Sequence, residues 1–182
     1  TSAQFGNADD LLVVGAPAYG SNAGAAYVYQ RDGSSWVLDQ SYESESSSGD
    51  LLGQSVAIGD DSILIGAPGD QSATGALYRD SIGSLTASAT LPQEDVIDAL
   101  VTGNRFGYDV DVSGDWMVAT ATWSWEADPA LQGYVYVSKW DSIADQWGTP
   151  VALSLPSDIE ASDYYGTAVA IEGDRIVARL VV

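Results

Sequence analysis

Three segments of this chain align without a gap: residues 56–65 (VAIGDDSILI), 110–119 (VDVSGDWMVA) and 169–178 (VAIEGDRIVA). Each holds a short apolar alternation, a tight Gly/Asp turn and a second apolar run, the pattern of a β-hairpin. Residues 11–14 (LLVV) join the series when Asp10 is set in the column of Asp61, Asp115 and Asp174, and the interval then lengthens from 51 to 54 to 59 residues. A hairpin recurring at that interval cannot bury its apolar faces alone, so the units have to stack on one another.

Other columns keep the same register. Gly53, Gly107 and Gly166 precede the first strand of a unit, with Leu52, Phe106 and Tyr165 just before them. Gly15-Ala16-Pro17 and Gly66-Ala67-Pro68 end the second strand in two units, where proline stops a ladder by lacking an N–H. Gly24, Gly75 and Gly133 open a third strand, at residues 26–29, 76–78 and 134–137. A fourth is expected at 36–38, 85–91 and 151–155. Four short antiparallel strands in a unit of this size form a propeller blade. The expected fold is all-β and propeller-like, with repeats at 1–50, 51–103 and 104–162 and a half repeat at 163–182. This makes about three and a half four-stranded blades and fourteen strands.

The runs Leu52-Gly53-Gln54-Ser55-Val56-Ala57-Ile58, Phe106-Gly107, Gly66-Ala67-Pro68 and Gly75-Ala76-Leu77-Tyr78 resemble the FG-GAP repeat of integrin α-type β-propellers and of bacterial and archaeal surface proteins. The chain departs from the pattern where Thr120-Ala121-Thr122 and Arg179-Leu180-Val181 stand in the Gly-Ala-Pro column. The resemblance implies an extracellular or cell-surface protein that binds or adheres.

Composition narrows the chemistry. Asp and Glu number 26 against 6 Lys and Arg, a formal net charge of -20, which repels nucleic acid at every approach. There is no cysteine and no histidine, which removes disulfides, thiolate nucleophiles, Ser-His-Asp catalysis and most zinc chemistry. What remains for an enzyme is carboxylate chemistry. Asp109 and Asp111 share one strand face and could serve a glycoside hydrolase, although an exposed acidic face accounts for them more simply. No apolar run approaches the roughly 20 residues needed to span a bilayer.

Candidate sites follow from the repeat. The segment 175–182 is β-prone and free of acid, so Ile176, Val177, Ala178, Leu180, Val181 and Val182 are expected to form a strand that is covered. It closes onto the same chain, continues into a longer one, or pairs with a neighbouring subunit by strand addition. A head-to-tail contact of that kind propagates as a filament, whereas a two-fold dimer of three and a half units totals seven blades. Asp10, Asp61, Asp115 and Asp174 are assigned to turns, as are Gly53, Gly107 and Gly166 to structure. Trp123, Trp125, Trp140 and Trp147 offer a ligand patch or fill the space between blades. The resemblance also implies calcium loops, but residues 18–23, 69–74 and 124–128 lack the alternating oxygen ligands. Calcium is therefore held only to weak candidates, Asp50, Asp70 and Asp163. The expectation is a non-enzymatic, self-associating surface protein, a filament subunit or else an adhesion propeller for protein or glycan ligands.

Overall fold

The computed structural model describes residues 3–5, 10–44, 49–70, 74–82, 105–122, 133–154 and 164–181. They form fourteen strands in four antiparallel sheets. The first sheet runs in the order β1 (Ala3–Phe5), β2 (Leu11–Ala16), β3 (Ala25–Asp32), β4 (Ser35–Glu43). The second runs β5 (Ser55–Ile58), β6 (Ser62–Ala67), β7 (Ala76–Ser81). The third runs β8 (Phe106–Ser113), β9 (Trp116–Ala121), β10 (Tyr134–Asp141), and beyond β10 come β11 (Gln146–Trp147) and β12 (Val151–Ala152). The last holds only β13 (Tyr164–Glu172) and β14 (Arg175–Val181).

Sequence neighbours pair within every sheet, the up-and-down order of a blade. The expected fourth strand at 36–38 lies inside the longer β4, and that at 85–91 falls outside the described residues. Of the strand expected at 151–155, Val151 and Ala152 pair with β10 and the Leu153 amide donates to the Val135 carbonyl at 2.8 Å, while the β10–β11 hairpin takes the far end of that edge. The Asp141 carboxylate fixes its turn by accepting the Ile143 and Ala144 amides at 2.9 and 3.1 Å, a local bond that Asp makes readily.

Period-two alternation sends the two faces of each strand into different cores. On β6, Ile63 and Ile65 enter a cluster with Val13, Val28, Tyr42 and Val56, between the first and second sheets. Leu64 points the other way, to Phe106, Val110 and Met117, between the second and third. A third cluster, Val118, Val135, Tyr165 and Ile171, joins the third sheet to the last. The sheets are thus stacked in chain order, with one core between each successive pair.

Close backbone approach fixes the stacking. Gly53, Gly107 and Gly166 have φ of +79°, +80° and +79°, a region that side chains rarely adopt. A Cβ on Gly107 would sit 2.5 Å from the Ala76 carbonyl oxygen of the preceding sheet. Leu52 and Phe106 each form a parallel bridge to the glycine opening the previous third strand, Gly24 and Gly75.

The third and last sheets are also clamped by side chains. Asp109 accepts the Val169 amide at 2.7 Å, Asp111 accepts the Ile171 amide at 2.8 Å, and Ser113 accepts the Gly173 amide at 3.0 Å. This corrects the expectation of an exposed acidic face: alternate residues of β8 satisfy edge amides of β13 that would otherwise lack partners. Burial pushes the Asp109 carboxyl above the usual range, against the pull of the Val169 amide.

Candidate functional site

The Asp column of the turns acts through its main chain. The Asp10 carbonyl accepts the Arg31 amide at 2.8 Å, Asp61 the Ile82 amide at 2.9 Å, and Asp115 the Trp140 amide at 2.8 Å. Each bond ties the hairpin turn of the first two strands to the end of the third. Asp174 stands in the same column, but in its sheet β14 is the last strand among the described residues. Gly53, Gly107 and Gly166 lie at the joints described above.

Exposure separates the last hairpin from the others. Leu64 and Val118 are fully buried, whereas Val177 in the same column is 70% exposed. Ile176 and Ala178 are half-buried against the third cluster, while Leu180 is exposed, as are Arg175 and Arg179. Val181 ends the strand, and Val182 lies outside the described residues. Two of the six basic residues of the chain, Arg175 and Arg179, lie on β14. The outer edge and one face of β14 form a surface that is apolar, basic and, among the described residues, unpaired.

A groove of about 700 Å³ adjoins this strand. Val137, Ile171 and Ile176 line it together with Trp116, which is 43% exposed. The Lys139 ammonium lies 5.7 Å from the Trp116 ring centre, within reach of its π face.

The structure brings two of the four proposed patch tryptophans together: the Trp140 and Trp147 rings meet edge to face at 5.2 Å. The Arg79 guanidinium of the second sheet lies over the Trp140 ring at 3.8 Å, so this pair packs between sheets. Trp123 and Trp125 lie outside the described residues.

Of the weak calcium candidates, Asp50 accepts the Ser44 hydroxyl and Asp70 accepts the Tyr78 hydroxyl at 2.5 Å, while Asp163 lies outside the described residues. Among the described residues no three acidic side chains gather in a group able to hold a metal ion. Nor is any helix there long and apolar enough to cross a membrane.

Sequence reasoning missed the Asp109–Asp111–Ser113 clamp and the Arg79–Trp140 stack. The first had a visible signal, alternate polar residues at 109, 111 and 113, but nothing in the sequence names a partner 60 residues away.

No curated protein matches this chain. Residues 43–78, which run from the end of β4 through β5 and β6 into β7, match the FG-GAP repeat family. That segment contains the Leu52-Gly53 joint, the Gly66-Ala67-Pro68 strand end and the Gly75-to-Tyr78 third strand, the features that stack one sheet on the next. The chain is an all-β protein carrying an FG-GAP repeat, with its repeated sheets stacked as in a β-propeller.

Proposed function

We propose that this chain is a non-catalytic extracellular assembly module whose last described sheet takes a strand from another polypeptide, joining subunits into a dimer or filament. The background is the FG-GAP repeat, which belongs to β-propeller proteins of adhesion and binding type, generally non-enzymatic and typically extracellular. One observation carries the reading: β14 is open along its outer edge among the described residues, and Val177 is exposed where its counterparts are buried. An open edge presents a row of backbone donors and acceptors, a template for another strand.

Charge sets the conditions. Two chains at -20 repel each other, but β14 carries two arginines and no acid. Added salt screens the long-range repulsion, over a length of about 8 Å at physiological strength. Assembly is therefore expected to tighten as salt rises.

Light scattering of the purified chain tests the proposal. Deleting residues 175–182, or placing a charge on the open face with Val177→Glu, is expected to reduce the particle to a single chain. Particles of unchanged size in both variants, or a wild-type chain that stays monomeric at high salt and high concentration, would sink it.

A further inference from the structure

We propose that the Asp32–Gly33 step, at the tip of the β3–β4 hairpin, is a self-modification site: the Gly33 amide nitrogen attacks the Asp32 side-chain carboxyl, and the linkage there converts to isoaspartyl through a succinimide. The proposal is independent of how the last sheet is completed.

The chemistry needs no reactant but water. The Gly33 nitrogen bonds to the Asp32 side-chain carboxyl carbon and gives up its proton, while the carboxyl hydroxyl leaves as water. Water then adds to the ring at the former main-chain carbonyl carbon and breaks the bond from that carbon to the Gly33 nitrogen. The main chain now runs through the side chain, one backbone carbon longer, and the former main-chain carbonyl carbon carries a free carboxylate. Mass and charge return to their starting values.

The hairpin meets the three demands of this reaction, which are an uncrowded nitrogen, a free carboxyl and a backbone able to bend. Asp32–Gly33 is the one Asp–Gly step in the sequence, and a Cβ built on Gly33 would meet nothing within 4 Å. Among the described residues no hydrogen bond or ion pair engages the Asp32 carboxylate. Arg31 beside it turns elsewhere, to the Gly33 carbonyl at 3.0 Å and the Asp10 carboxylate at 3.3 Å. Gly33 has φ +61° in a two-residue turn closed by the Asp32–Ser35 pair, and every residue from Arg31 to Ser35 is exposed. An exposed tip of this kind opens at little cost.

Aspartates of the other turns fail one demand or another. Asp10, Asp61, Asp115 and Asp174 are followed by Leu11, Ser62, Trp116 and Arg175, whose side chains crowd the attacking nitrogen. Asp141 holds the Ile143 and Ala144 amides on its carboxylate, and Asp80 accepts the Tyr42 hydroxyl. A two-residue turn has no slack for an added carbon. Conversion therefore undoes the Asp32–Ser35 pair and the Arg31 bond to the Gly33 carbonyl, at the exposed end of the first sheet.

The test uses the whole folded chain, aged in neutral buffer at body temperature and then digested with chymotrypsin. Cleavage after Tyr29 and Trp36 frees residues 30–36 (QRDGSSW). That peptide is expected to split on reversed-phase chromatography into two peaks of equal mass, the new one accepting a methyl group from an isoaspartyl methyltransferase. Gly33→Ala, which crowds the nitrogen, is expected to slow its appearance about tenfold or more. Asp32→Glu keeps the charge and the glycine but requires a larger ring, and should give no new peak.

A single peak from the folded chain, over a time in which the free peptide QRDGSSW splits, overturns the proposal, because the fold then shields the site. Methyl acceptance found mainly in other peptides, or left unslowed by Gly33→Ala, overturns it as well.

Discussion

The second and last sheets present the same ten-residue hairpin in two environments. In β6 both faces are covered: Ile63 and Ile65 pack toward the first sheet and Leu64 toward the third, all fully buried. In β14 one face is half-covered by the third sheet, and the other leaves Val177 70% exposed. The hairpin geometry survives in both, with Ile171 paired to Ile176 as Ile58 is to Ile63. The local turn is therefore encoded within the hairpin, while burial is supplied by neighbouring sheets. The Gly-Ala-Pro column shows the same division. Gly66 is glycine because a Cβ there would collide with the Gly107 carbonyl of the next sheet. Where Thr120 takes that place the joint is looser, with its Cβ 3.4 Å from the Cβ position of Gly166. Arg179 occupies the column in β14, so a sheet stacked on that face needs at least the wider spacing.

The sharpest way to break this comparison is to put a methyl group at a stacked joint and at an unstacked turn. Gly107→Ala forces a side chain into a positive-φ position and against the Ala76 carbonyl. Left-handed strain and overpacking together should cost about 3–4 kcal/mol. Gly173→Ala meets the same backbone preference at φ +58°, with nothing within 4 Å of the new Cβ. It should cost only about 1–2 kcal/mol. Urea melts of both variants measure the difference; equal losses would mean that the joint is no tighter than the turn.

A second comparison uses the shared column. Leu64→Ala opens a cavity in a filled core and should cost about 3 kcal/mol. Val177→Ala should stay within about 0.5 kcal/mol at concentrations where the chain is monomeric. A large loss from Val177→Ala in a dilute sample would show that β14 is already covered.

The hairpins, the joints and the third strands were legible because each is a local pattern repeated in register, so that one copy corroborates another. The tyrosines at 27, 78 and 136 gained their meaning only from pairing, since they align with β2, β6 and β9 and not with one another in even spacing. Contacts between sheets stayed hidden. Tyr42 donates to Asp80 at 2.5 Å across the first joint, and Arg79 covers Trp140 across the second. Neither pair shares a column or a spacing. The β4 strand extends beyond its apolar 36–38 run because a register shift between Val28 and Tyr29 admits an extra residue opposite β3, an irregularity that alternation does not announce.

The smallest effect concerns the clamp that holds the last sheet to the third. Burial raises the Asp109 carboxyl, the Asp111 charge adds to the rise, and the Val169 and Val110 amides oppose it. The folded chain therefore holds this proton to a higher pH than the unfolded chain does. Its contribution to stability is fully present below the ordinary carboxylate value and is lost as pH rises through the folded one. Asp109→Asn keeps an oxygen to accept the Val169 amide but cannot titrate. Melting curves between pH 4 and 7 should then show the wild type losing stability with rising pH more steeply than the variant, by no more than about 2–4 °C over the range. The rest of the slope, from repulsion among the other carboxylates, is common to both proteins. If the two slopes coincide, the Asp109 carboxyl titrates alike in the folded and unfolded chains. The clamp is then wet enough to leave its charge unpenalised, and its three hydrogen bonds hold the last sheet without a titrating penalty.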